Sequence, residues 1–216
     1  MAATEPTAKA RVAKVSVGAL LALAFVALIV YGLDQLSKYL ISTNLVEGQQ
    51  VQVLGEVLQF HFVKNSGAAF SLASGSTWIF SIAASAVTVF IILFARRIRS
   101  RGWAILFGML LGGTAGNLTD RLFREPGFGV GHVVDFIRVA GFPAIFNIAD
   151  SFIVASMGLF VILTIRGVGL DGRRLSRKPV AGDGNAEART ADAESATQHV
   201  TTGIAAPGDT ATQESR

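Results

Sequence analysis

Four long stretches without a charged residue set what this chain can become. Val15 to Leu33, Trp78 to Ala95, Gly102 to Thr119 and Ser151 to Ile165 contain no Asp, Glu, Lys or Arg, and the last is extended outward by Asn147 to Ala149. Each approaches the ~20 residues that cross a ~30 Å hydrocarbon core. The composition agrees: 51% hydrophobic and 16% charged is too apolar for an ordinary soluble domain of this size. Four transmembrane helices are expected, over about 15–37, 77–95, 102–121 and 147–166. The first run is read as a span and not a cleaved leader, because Asp34 follows closely and the run matches the other three.

Basic residues orient these spans. Lys9, Arg11 and Lys14 precede the first, and Arg96, Arg97, Arg99 and Arg101 fill the connection between the second and third. Arg166, Arg173, Arg174, Arg177 and Lys178 follow the fourth. All three groups fall on one side, which the positive-inside rule makes cytoplasmic. Both termini, including residues 1–14, are then inside, and the connections at about 41–76 and 123–146 face outward. The net charge of +4 is a topology pattern, so nucleic acid is not an expected partner. The chain lacks cysteine, and His61, His132 and His199 are scattered. Neither a metal nor another cofactor is expected. From about residue 171 to 216 large apolar side chains almost vanish, and a disordered tail is expected.

The first outer connection has a pattern of its own. Val51-Gln52-Val53 and Val57 to Val63 alternate with period two about Gly55, so a small β-ribbon is expected. Phe60 and Phe62 would share one face, either turned to lipid or substrate or buried on the helix ends. The second connection, with Pro126, Gly127, Gly129 and Gly131, suits either a mobile flap or a plain linker.

Helix rise converts sequence distance into depth. Counting from Lys14, Arg101 and Arg166 at ~1.5 Å per residue places Asp34, Asp120 and Asp150 roughly 30, 28 and 24 Å from the cytoplasmic ends. All three lie near the outer hydrocarbon boundary, with Asp150 a turn inside it. Asp135 can return to that level if 136–146 folds back. Ionisable groups at such depth are costly, and each is a functional-site hypothesis. For most of them a structural role competes. Asp34 and Lys38 are spaced to pair along one helix face. Asn117 and Arg121, with Asp120 beside them, can hold a substrate carbonyl or join an interhelical network. Gly112, Gly113 and Gly116 permit close helix approach. Asn147 with Asp150 reads as a helix cap and its acidic N3 partner. Asp135 has no helical explanation.

Two carboxyl groups held together cannot both ionise cheaply, so one keeps a proton near neutral pH. The ionised member can activate water, and the protonated one can polarise a carbonyl and later protonate a leaving amine. A small four-span transporter or proton channel would also use membrane carboxylates. A non-catalytic membrane scaffold is the third alternative.

Five segments in order separate these readings. They are Asp34-Gln35-Leu36-Ser37-Lys38, Lys64 to Ser71 (KNSGAAFS), Gly112 to Arg121 (GGTAGNLTDR), Val133-Val134-Asp135-Phe136, and Phe146 to Ser151 (FNIADS). Over roughly residues 15–166 the chain resembles the bacterial lipoprotein signal peptidases, the type II signal peptidases. The resemblance implies an all-α membrane protein of four transmembrane helices, with a small extracytoplasmic β-cradle between helices 1 and 2. It implies a monomeric aspartyl endopeptidase of the bacterial plasma membrane, active near the outer face. Its partners would be membrane lipid and a diacylglyceryl-modified prolipoprotein, cut on the N-terminal side of the lipidated cysteine. Asp135 and Asp150 then correspond to the catalytic dyad. Asn65, Gly113, Asn117, Arg121, Asn147 and Ala149 match positions around the substrate, and Asp34, Lys38 and Asp120 read as support. The second outer connection would close over substrate, although Leu122 to Val134 is long and glycine-rich.

Overall fold

The computed structural model describes residues 16–67 and 77–174. The chain divides into Met1–Leu175 and Ser176–Arg216, and only the first unit is considered below. The expected N-terminal segment 1–14 and nearly all of the expected tail lie outside the described residues. Order continues to residue 174, where Val168 pairs with Arg174 in a β-bridge and the Gly169 N–H donates to the Arg173 carbonyl at 2.8 Å.

Four helices form: α1 (Val17–Asn44), α2 (Thr77–Phe94), α3 (Arg101–Phe123) and α4 (Ile148–Ile165). α1, α2 and α4 are long and apolar enough to cross a membrane. α3 is long enough but less apolar, and its position explains why. It packs against all three of the others, so much of its surface meets protein. Gly108, Gly112 and Gly116 form the row that α1 crosses. A Cβ on Gly112 would lie 2.6 Å from the Ala27 carbonyl oxygen, a backbone atom that cannot swing away. The other helices display Leu21, Phe25, Leu28, Phe90, Leu93 and Val154 outward, as a lipid-facing surface requires.

α1 starts at Ser16, whose hydroxyl accepts the Ala19 N–H at 3.3 Å. It ends at Asn44, well beyond the expected boundary near 37. The added turns are held in two ways: Ile41 is buried against the sheet, and Ser42, Thr43 and Asn44 donate back to the Tyr39 and Leu40 carbonyls.

At one end of the bundle Ala19, Leu23, Ala95, Ile98, Trp103, Leu106 and Leu163 make an apolar core. The Trp103 indole N–H donates to the Val168 carbonyl at 2.9 Å and ties the segment after α4 to α3. At the opposite end lies an antiparallel sheet in the order β1 (Gln50–Leu54), β2 (Leu58–Asn65), β3 (Val133–Val139). The first two strands are the expected ribbon. The third corrects it: β3 arrives from between α3 and α4 and pairs with β2, Val63 opposite Asp135 and Asn65 opposite Val133. The Phe face packs on the protein, with Phe62 buried and Phe60 partly so. Phe62 packs with Ile41 of α1 and with Val134 and Phe136, and Phe60 meets Phe136 edge-on at 5.8 Å.

The glycine-rich connection after α3, where the sequence suits a mobile flap or a plain linker, makes several hydrogen bonds to its neighbours. The Gly131 N–H donates to the Arg121 carbonyl and the His132 N–H to the Glu125 carbonyl. The Ser81 hydroxyl of α2 donates to the Gly129 carbonyl at 2.6 Å. Gly129, at φ +79°, supplies the left-handed turn that brings this carbonyl to α2.

Candidate active site

The site begins at the N-terminus of α4. Asn147 is its N-cap, and its side-chain oxygen accepts the Asp150 N–H at 2.9 Å. The Asp150 carboxylate returns to the Asn147 N–H at 3.2 Å, completing a capping box. Just upstream the chain doubles back, because Phe146 bridges Ile137, with the Ile137 N–H donating to the Phe146 carbonyl at 2.7 Å. That fold-back of 136–146 sets Asn147 beside Asp135.

Asn147 therefore touches both carboxylates. Its oxygen is committed to the helix cap, so its amide nitrogen points the other way, donating to Asp135 Oδ1 at 2.6 Å and Asn117 Oδ1 at 3.1 Å. Asn117 in turn donates its nitrogen to Asp150 Oδ1 at 2.8 Å. Asn65 accepts the Gly67 N–H on its oxygen and donates to Asp135 Oδ2 at 2.7 Å. Each oxygen of Asp135 and Asp150 thus receives one donor, and three asparagines from three elements set the orientation of the pair.

Asp135 is 2% exposed. Burial pushes its carboxyl up to about 6, the nearby Asp150 adds to the rise, and the amides of Asn65 and Asn147 and the Lys38 charge oppose it. A carboxyl group in that range can hold a proton near neutrality and release it during a reaction.

Behind the pair is a second polar layer. The Lys38 ammonium donates at 2.8 Å to each of Asp34 Oδ2, Asp120 Oδ2 and Asn117 Oδ1. The expected pair between Asp34 and Lys38 is present, and Asp120 from α3 joins it. Asp34 Oδ1 accepts the Ala149 N–H at 2.9 Å, while Asp120 accepts Arg124 Nε at 2.6 Å and the Val134 N–H at 3.2 Å. All three of Lys38, Asp34 and Asp120 are fully buried. A buried ammonium with three acceptors and two counter-charges meets the requirement for burying charge.

The pair faces a cavity of about 210 Å³ lined by Asn65, Asn117, Arg121, Asp135 and Asp150, with Phe80, Ala84 and Ile153 as apolar wall. The Arg121 guanidinium lies over the Phe80 ring at 5.2 Å and reaches the Ser66 carbonyl at 3.4 Å. Among the described residues it forms no ion pair, so its charge faces the cavity. Two sequence-derived candidates lie outside the cavity lining. Gly113 and Ala149 do not line this cavity but pack together behind it, where a Cβ on Gly113 would meet the Ala149 carbonyl oxygen at 2.8 Å. Phe80 and Thr114 also line the cavity; Phe80 sits in an apolar run with nothing local to single it out, whereas Thr114 lies within the GGTAGNLTDR segment without being one of its expected site residues.

Fold and site together define a membrane-embedded protein with a paired-carboxylate cleft at one end of its helices. Comparison with known proteins makes this specific. The family described as signal peptidase (SPase) II matches residues 26–166. A lipoprotein signal peptidase of Leifsonia xyli is 67% identical over 161 residues, 74% of each chain. Its counterpart in Streptomyces coelicolor is 48% identical over 147 residues, 68% of this chain and 72% of that one. A solved bacterial membrane enzyme superposes with a TM-score of 0.61 at 26% identity, covering 76% of this chain and 98% of its own. A second does so with a TM-score of 0.61 at 28% identity, covering 71% and 97%. The chain belongs to the signal peptidase II family, and is a peptidase.

Proposed function

We propose that this chain is an aspartyl endopeptidase that removes the signal peptide from diacylglyceryl-modified prolipoproteins, cutting on the N-terminal side of the lipidated cysteine. The observation that carries the reading is Asn147, which holds Asp135 by its amide and Asp150 through the helix cap. Removal of signal peptides from prolipoproteins follows from the family, and membership of a peptidase family displaces the transporter and scaffold alternatives.

In this reading a water molecule lies between the two carboxyl groups. The ionised member takes a proton from the water as its oxygen attacks the scissile carbonyl carbon. The protonated member gives its proton to the carbonyl oxygen, leaving a neutral gem-diol. As the C–N bond breaks, the first carboxyl passes its proton to the departing nitrogen, and a gem-diol hydroxyl returns one to the second. Atoms and charge balance, and both carboxyl groups are restored. Arg121, with its charge facing the cavity, holds a peptide carbonyl of the substrate. Asn65, Asn117 and Asn147 fix the carboxylates so that little reorganisation is needed at the moment of reaction.

The membrane supplies the remaining positioning. All four helices span the bilayer, the arginine-rich ends lie in the cytoplasm with both termini, and the sheet and the pair sit at the outer boundary. A diacylglyceryl group anchored in the outer leaflet then presents the adjacent peptide bond at the level of Asp150. The enzyme works as a monomer.

The test is cleavage of a lipidated prolipoprotein by purified wild-type, Asp135→Asn and Asp150→Asn proteins, followed by gel shift. Both variants should insert normally and leave the substrate intact. Full cleavage by either one overturns the mechanism.

A further inference from the structure

The capping geometry gives the hydrogen-bond network a direction, and that direction starts at Lys38. An asparagine amide is nearly symmetric in shape, so what decides which end faces Asp150 is the chemistry on its other side. For Asn117 that side holds two donors, the Lys38 ammonium at 2.8 Å and the Asn147 amide nitrogen at 3.1 Å. Flipping Asn117 would set its nitrogen against both donors and its oxygen against Asp150 Oδ1. Neutralisation of the buried aspartates does not require this third bond. Asp34 and Asp120 already take two of the three ammonium protons, and Asp120 has Arg124 as well.

We propose that Lys38 is a positioning residue for the peptidase reaction, locking the Asn117 amide so that its nitrogen holds Asp150 in the cleft. The inference rests on the reading of Asp150 as one of the two reacting carboxyl groups. Lys38 stands on α1, Asn117 on α3 and Asp150 on α4, so the lock also registers three helices against one another.

The test uses the full-length protein with a diacylglyceryl-modified prolipoprotein as substrate. Lys38→Met alone would strand a buried carboxylate, so the informative variant is Asp34→Asn combined with Lys38→Met. It removes both charges of one pair and leaves Asp120 with Arg124, while the amide oxygen introduced by Asp34→Asn can still accept the Ala149 N–H. The expected result is a thermal midpoint near wild type, an unchanged KM and a kcat lower by about 10–100-fold, the loss of one charge-assisted orienting bond. Asn117→Ala should show the same pattern. Adding it to the double variant should cost nothing more, because both changes break one chain of contacts.

Wild-type turnover by the double variant overturns the proposal, and so does a loss that multiplies with that of Asn117→Ala. Failure of the double variant to fold also counts against it, since Lys38 would then be holding the bundle rather than the amide. Asp150→Asn, run in parallel, separates the two levels. If that variant cleaves, the catalytic reading itself has failed. If it is inert while the double variant is fully active, only the role of Lys38 falls.

Discussion

Asn147 caps α4 with its side-chain oxygen and gives the nitrogen of the same amide to Asp135, 2.6 Å away. A helix-capping residue and a strand carboxylate are thereby locked into one unit. The cap fixes which way the amide points, and the amide fixes Asp135. Helix formation and assembly of the site are one event at this residue.

Asn147→Ser separates the two roles. Serine caps a helix about as well as asparagine, so the cap survives, and the stability cost of about 1–3 kcal/mol comes from the lost amide donors to the buried Asp135 and Asn117. The hydroxyl cannot also reach Asp135 and Asn117, so prolipoprotein cleavage should fall about 100-fold or more. Asn147→Ala should lose that activity and about 1 kcal/mol of stability besides. Thermal unfolding and turnover, measured on the same preparations, check both expectations.

Stability should respond to pH through Asp135. Its carboxyl is raised from 3.8 to about 6 by burial, so the folded protein binds the proton more tightly than the unfolded chain. The resulting stabilisation is fully present below about pH 4 and is lost as pH rises through about 6, a change of about 3 kcal/mol. Asp135→Asn removes the titrating group. Wild type should therefore lose stability relative to this variant between about pH 4 and 7, and the difference should be flat above. Unfolding midpoints across that range provide the measurement.

Gly113→Ala should separate α3 from α4. The new methyl would meet the Ala149 carbonyl oxygen at 2.8 Å and Ile153 Cγ1 at 2.8 Å. Relief requires the helices to part, at a cost of about 1–3 kcal/mol, and the Asn117 bond to Asp150 should lengthen with it. Lower stability and lower kcat together are expected. Gly158→Ala, with nothing within 4 Å of its new Cβ, is the control and should leave stability equal or slightly higher.

Ser81→Ala should loosen the connection after α3. The hydroxyl bond to the Gly129 carbonyl joins this loop to α2, and its loss should cost about 1 kcal/mol. Amide exchange should quicken at residues 127–132 and stay unchanged in α3. Equal protection in both proteins would show that the backbone bonds at Gly131 and His132 hold the loop unaided.

Much of this architecture could be read from the chain because its causes are local. Uncharged runs mark α1, α2, α3 and α4, and helix rise brings Asp34, Asp120 and Asp150 to one level. The asparagine three residues before an acid predicted the cap at α4. Chain length allows Asp135 to return through 136–146, and the Ile137–Phe146 bridge accomplishes it. The strand around Asp135 is not among the expected elements, although Val133 to Val139 is rich in β-branched and aromatic residues, because its pairing partner β2 is remote in sequence. The glycines at 127, 129 and 131 suggested mobility, since composition does not reveal which backbone groups find partners.

By itself, then, the sequence determined which segments become helices and which carboxyl groups lie at one level of the bundle, since periodicity and helix rise act residue by residue. Tertiary structure alone decided the pairings. Lys38 reaching Asp120 and Asn117, Asn147 joining Asp135, Phe80 lying under Arg121, and Gly113 packing on Ala149 all depend on which faces of separate elements meet. Those partners are far apart in sequence, and only packing, with every buried donor requiring an acceptor, selects them.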